Sequence, residues 1–197
     1  NSKSASDPVL LDNHVKDVVQ RLDAILSRLT LDPVPEVDAK LKRAVRLAAE
    51  WHDSGKRREL WQRSIGRPNE LIDHWYAKSG RFWRVREVAR YRHEFGSVVD
   101  VQGHKEFQSL DDDSKDLVLH LIAAHHGMAR PHFTLEQAID PEASSVICEA
   151  IANEAPRRFA RLQRKYGRWG LAYLESLLRA ADWAASANPS VVEKEGE

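Results

Sequence analysis

The chain has 197 residues, enough for one domain with a sizeable core. Its 42% hydrophobic and 30% charged residues are ordinary for a globular protein, and 30 basic against 30 acidic side chains favour no class of partner on total charge. No apolar run approaches a membrane span, no basic-then-apolar leader opens the chain, and the single Cys148 excludes an internal disulfide and argues against a thiolate metal site.

A reducing, cytoplasmic setting is therefore expected. The chain opens on Asn1 rather than Met, as a trimmed chain or a domain cut from a longer one would. Residues 1–7 read as a flexible segment, 8–187 as one domain, and 188–197 as an acidic flexible tail.

In chain order the pattern is helical nearly throughout. Val15, Val18, Val19, Leu22, Ile25, Leu26 and Leu29 recur at three- and four-residue steps, the stripe of an amphipathic helix. "LDPVP" at 31–35 breaks it, because proline does not suit a helix interior. A second helix is predicted from about Glu36, with Leu41, Val45, Ala48 and Ala49 inward, ending near Gly55. Residues 66–82 are less regular, around a short helical piece, "ELIDHWYA". Asp113 or Ser114 is placed to cap a helix through "KDLVLHLIAAHHG", closed by Gly127. "SSVICEAIANEA", "PRRFARLQRKYG" and "RWGLAYLESLLRAADWAASA" read as three further helices. No strand is predicted, so the expected fold class is all-α.

The neutral total hides local charge. Basic residues gather in "KLKRAVR" (40–46), "KRR" (56–58), "RFWRVREVARYR" (81–92) and "RRFARLQRKYGRWG" (157–170). The last interleaves aromatics with arginines, as a single-strand track would. The preferred reading is still an amphipathic helix with a solvated basic face and its aromatics in the core.

Histidine and aspartate recur on these helices in a set order. His14 lies on the first, His52-Asp53 ends the second, His93 sits in "YRHEFG", His125-His126 ends "HLIAAHHG", and Asp182 lies near the end of the last. A lone histidine on an apolar stripe is ordinarily a packed, hydrogen-bonded side chain; the order of the whole set is what points to ligands. Neighbours on a regular helix point about 100° apart and cannot both face one small ion, but they can serve a pair of ions lying between them. Imidazole and carboxylate are ligands that iron, manganese, nickel and zinc share. Since a carboxylate can bridge two metals, Asp53 is the natural bridge. His74, His104, His120 and His132 read as structural or surface residues.

These elements resemble the HD superfamily of metal-dependent phosphohydrolases. More narrowly, "LLDNHVKDVV", "WHDSGK", "YRHEFGS", "LIAAHHG" and "LLRAADWAAS" resemble the HD nuclease domain of the CRISPR-associated helicase-nuclease of type I interference systems. The resemblance implies a helical fold, two divalent transition-metal ions (manganese, nickel, iron or cobalt) and cleavage of chiefly single-stranded DNA. It also implies a helicase, separate or in the same polypeptide, that supplies the strand, and a CRISPR surveillance complex as partner. His14, His52, Asp53 and Asp182 would hold one metal, and Asp53, His93, His125 and His126 the second. Asp53 and Lys56 would be catalytic, Lys56 facing the scissile phosphate, with Arg57 or Arg58 adding charge. The bland reading of Lys56 is a solvated lysine past a helix end. The basic insertion between His52 and His93 is a departure from the pattern. No "GxxxxGK[ST]" occurs in these 197 residues, so they contain no ATP motor. Two rivals stand beside this reading: an HD phosphohydrolase acting on nucleotides or cyclic dinucleotides, and a non-catalytic HD-like scaffold.

Overall fold

Leu11, His14, Val18, Leu22 and Leu26 are all buried, and their spacing makes Leu11–Leu26 the first helix, α1. Val19, Ile25 and Leu29 pack on the margin of the same core. The helix stops short of Leu29, with Ser27 Oγ donating back to the Ala24 carbonyl at 3.0 Å. The proline-rich loop is held by Asp38, whose Oδ1 accepts from Leu31 N at 2.6 Å. Pro35 then opens α2, Pro35–Trp51, in the first turn where no hydrogen bond is lost.

The computed structural model describes residues 8–67, 74–79, 90–127 and 129–190. Within them, Ser54–Arg57 is a 3-10 turn and Glu59–Ser64 is α3. Then come α4, His93–Val101; α5, Lys105–Gln108; and α6, Asp112–Ala124. The cap of α6 is Asp111, which accepts from Ser114 N at 2.9 Å, rather than Asp113 or Ser114. The last helix, α7, spans Ser145–Ala187 and breaks at Gly167 (φ 69°, ψ 172°). It passes straight through Pro156, where the sequence predicts a boundary. Burial of Cys148, Ile151 and Ala155 on one side and Leu162 on the other, against one core, outweighs the lost hydrogen bond.

The all-α class holds, with one exception to the strandless expectation. β1, Val9–Leu10, pairs antiparallel with β2, Tyr76–Lys78, Val9 lying opposite Lys78 and Leu10 opposite Tyr76. Strands this short carry no period-2 signal, and their pairing spans more than 60 residues of sequence. Of the predicted piece "ELIDHWYA", residues 70–73 lie outside the described residues, and Tyr76-Ala77 are strand.

Helices α1, α2, α4, α6 and α7 share one core around Leu22, Val45, Phe95, Val98, Ile122 and Leu178. Each such side chain contributes about 1.5–3 kcal/mol on burial. Trp61, Ile65, Tyr76 and Tyr91 form a second cluster that ties β2 to α3. Among the described residues, no helix is long and apolar enough to cross a membrane. Segments 1–7 and 191–197 lie outside the described residues. Ser190, at the start of the predicted tail, donates to Asp17 from N at 2.8 Å and from Oγ at 2.6 Å.

Candidate metal centre

His14 is buried on the inward stripe of α1 between Leu11 and Val18, where a fifth apolar residue would ordinarily sit. His52 and His125 are both C-caps, of α2 and α6. Each donates Nδ1–H to the carbonyl of the residue three earlier, Ala49 and Ile122, at 2.7 Å. A carbonyl only accepts, so Nδ1 carries the proton and, on the neutral ring, Nε2 keeps a lone pair. After His52, Asp53 leaves the helix at φ −106°, ψ 6°, which turns its carboxylate back toward the histidines.

Gly55 is there for a close approach. A Cβ at that position would stand 2.1 Å from the His93 carbonyl oxygen and 2.7 Å from Ser97 N. The 3-10 turn therefore lies directly on α4, fastened by Gly55 N donating to Ser97 Oγ and Tyr91 Oη donating to the Gly55 carbonyl, both at 2.8 Å. This contact carries Asp53 to His93, 40 residues later in the chain.

Asp53 has two faces. Its Oδ2 lies 3.4 Å from both His14 Nε2 and His52 Nε2. Its Oδ1 lies 3.2 Å from His93 Nε2 and 3.8 Å from His125 Nε2. Asp182 joins the first side, with Oδ1 3.2 Å from His14 Nε2. One donor atom each from Asp53, His93, His125 and His126 fall within 4.8 Å of one another, and so do those of His14, His52 and Asp182. All seven residues singled out as ligands thus converge, and only His126 is exposed. Lys56 donates to Asp53 Oδ2 at 2.6 Å and lies 5.6 Å from the Trp61 ring centre, buried rather than solvated.

The donors fit a metal. His52 Nε2, Asp53 Oδ1, His93 Nε2 and His125 Nε2 are buried and make no hydrogen bond, the three nitrogens lying 3.4, 3.2 and 3.8 Å respectively from an Asp53 oxygen. Left so, each costs about 1–3 kcal/mol, a cost that a cation between them would remove. Burial pushes His14, His125 and His126 below the free-histidine value, His126 to about 4, so these rings offer lone pairs at neutral pH. Burial opposes ionisation of Asp53, yet His52, Lys56 and His93 hold its carboxyl well below the usual range. Asp182, also against burial, is held low by its hydrogen bond with His14 and by His52. Neutral imidazoles and ionised carboxylates together make a donor set for divalent transition metals.

Two residues at the site were missed in the sequence. Glu94 is fully buried, paired with Arg92, and its Oε2 lies 3.5 Å from His93 Nδ1, which leaves Nε2 for the centre. Against burial, His93, His125 and Arg92 hold its carboxyl at about 2. Lys78 is brought to the site by β2: burial and the Lys56 charge push its ammonium down, while Asp182 and Asp53 oppose them. The signal for Glu94 was its place beside a ligand histidine; Lys78 had none.

The remaining expectations divide, the charge-adding role of Arg57 and Arg58 being corrected and the structural or surface reading of the other histidines holding. Arg58 is spent on structure, with bonds of 2.6 Å to both Asp100 and Asp140. Arg57 pairs with Asp12 at the surface. In the 157–170 segment Arg161 binds Asp116 and Glu154, and Phe159 and Tyr166 pack on the core as the structural reading has it, whereas Arg158 is buried beside Asp116 and Trp169 is exposed. His120 is a satisfied buried residue, 2.7 Å from Glu175 Oε1. His104 stacks on Trp51, and His74 and His132 are exposed.

Residues 2–190 match the family model described as the HD domain of Cas3. No curated protein and no solved structure matches the chain.

Proposed function

Taking as premise that the chain belongs to the family of Cas3 HD domains, metal-dependent HD nucleases of CRISPR type I systems, we propose that it cuts single-stranded DNA at a two-metal centre, on strand delivered by a helicase. The observation that carries this reading is Asp53, whose two oxygens face separate His/Asp clusters. On this reading His14, His52, Asp53 and Asp182 hold one ion, and Asp53, His93, His125 and His126 the other. A bound pair supplies Lewis-acid charge and a nucleophile near neutral pH.

The chain's own residues do the rest. Lys56, steered by Asp53 and by the Trp61 face, is the cation set for a non-bridging phosphate oxygen. Glu94 holds the His93 ring. The exposed edge at His126 is where phosphate enters. A flexible single strand can bend its backbone into such an edge, whereas a stiff duplex presents it on a wide cylinder.

The test is purified chain with manganese on circular single-stranded DNA, linear duplex, and a panel of nucleotides and cyclic dinucleotides. Circular single strand is cut, duplex slowly, and small nucleotides not at all. Chelator stops the reaction, and manganese, nickel or iron restores it better than calcium, which prefers all-oxygen sites. Rapid turnover of a small nucleotide beside inert single-stranded DNA would transfer the assignment to a nucleotide phosphohydrolase.

A further inference from the structure

Arg179 and Trp183 lie one turn apart on α7, and Asp182 is the residue before Trp183. The guanidinium carbon stands 5.1 Å from the Trp183 ring centre. Its other neighbour is Gly127, where a Cβ would lie 3.2 Å from Arg179 Nη2. Gly127 follows His126, the exposed member of the ligand set. The pair therefore borders the centre between a residue of the first cluster and a residue of the second.

Arg179 differs from the other described arginines that are at least partly buried, Arg58, Arg67, Arg92 and Arg158, whereas several exposed arginines such as Arg21 and Arg164 are also without an ion pair among the described residues. The Arg179 Nε is buried without a hydrogen-bond partner, and no carboxylate pairs with it among the described residues. The natural partner, Glu175 one turn earlier, is taken by His120 at 2.7 Å and Arg130 at 2.6 Å. Arg58, Arg67, Arg92, Arg158 and Arg161 all stand beside carboxylates. Trp183 is 62% exposed, whereas Trp51 and Trp61 are buried. A plain stacking staple would explain the ring contact. It would not explain a half-buried guanidinium that no carboxylate among the described residues pairs with, at the mouth of an anion-handling site.

We propose that Arg179 and Trp183 form a nucleotide subsite beside the metal centre, Arg179 binding a phosphate next to the scissile one and Trp183 stacking an unpaired base. A guanidinium fork matches phosphate oxygens, and an exposed indole takes any base by its face. Because a paired base cannot stack on a side chain, this subsite is a physical source of single-strand preference. The inference rests on the nuclease reading and names the part of the strand that the centre grips.

The experiment compares Trp183→Leu, Trp183→Tyr, Arg179→Met and Trp169→Leu in the full chain. Cleavage of a twelve-residue oligothymidylate is set against hydrolysis of bis(p-nitrophenyl) phosphate, a small diester without a base. Binding of the labelled oligonucleotide is also measured by anisotropy with metal chelated. Trp183→Leu and Arg179→Met each raise the oligonucleotide KM, and its Kd under chelation, about tenfold. Preference for the oligonucleotide over the small diester drops by a similar factor. Trp183→Tyr recovers most of the loss, and Trp169→Leu, at an exposed tryptophan elsewhere on α7, changes neither preference nor Kd. Unchanged oligonucleotide KM and Kd in both variants would overturn the subsite, as would equal losses on both substrates, the mark of a structural defect. A wild-type chain that binds the oligonucleotide through Trp183 but hydrolyses neither substrate with any metal overturns the nuclease reading alone.

Discussion

Replacing Gly55 by alanine tests how Asp53 comes to face two clusters. The new methyl would sit 2.1 Å from the His93 carbonyl oxygen, more than 1 Å inside an ordinary contact of 3.4 Å, and 2.7 Å from Ser97 N. Both are backbone atoms and cannot swing aside, so the 3-10 turn must lift from α4. Overpacking of this kind costs about 1–3 kcal/mol. The two 2.8 Å hydrogen bonds that clamp the turn, Gly55 to Ser97 and Tyr91 to Gly55, lengthen with it, at roughly 1 kcal/mol each. Together these predict a loss of about 3–5 kcal/mol, or a fall of roughly 6–20 °C in Tm for a domain of this size. The damage to metal binding is one-sided. Lifting the turn separates Asp53 Oδ1 from His93, now 3.2 Å apart, while His14, His52 and Asp182 do not sit on α4. Thermal unfolding by circular dichroism, with elemental analysis after dialysis against limiting manganese, reads both effects. The His93 side should lose metal first. Gly96→Ala is the companion variant: its Cβ meets the Tyr91 hydroxyl at 2.0 Å, and adding Tyr91→Phe should recover part of its loss. A Gly55→Ala protein with unchanged Tm and two metal equivalents would refute the close-approach argument.

Three further outcomes are expected. Asp53→Ala abolishes cleavage and lowers metal occupancy on both sides, since its oxygens are 3.4 Å from His14 and 3.2 Å from His93; two full equivalents with cleavage intact would show it is no bridge. His14→Ala reduces metal content and rate while the fold persists, whereas His120→Ala removes one of the two partners of buried Glu175 and leaves Arg130, costs about 1–3 kcal/mol of stability and keeps the metal; the reverse pattern would mean the ligands are misassigned. In chelated protein, His14, His125 and His126 have folded values below 6.5, so the unfolded chain binds their protons more readily. Their stabilisation is complete above about 6.5 and is lost as pH falls toward 4, with Asp53, Asp182 and Glu94 adding the same sign at lower pH; a Tm flat from pH 7.5 to 4.5 would contradict this.

The helices were legible along the chain because their signal is local. Val18, Leu22 and Leu26 declare a buried face by spacing alone, whereas a His-Asp or His-His pair by itself says little, and only the order of the whole set pointed to ligands. Boundaries set by competition were not legible: α7 runs through Pro156 because burial on both sides outweighs one lost hydrogen bond. The short strands were hidden for the same reason, since Val9 meets Lys78 only after the chain has folded back on itself. What Asp53 faces, why residue 55 has no side chain, and which cations stay free are relations between surfaces far apart in sequence. Arg58 and Arg179 look alike along the chain. Asp100 and Asp140 close on the first, while His120 and Arg130 occupy the acid that would have closed on the second. Electrostatic pairing depends on distances of a few ångströms, and only the packed helices set them.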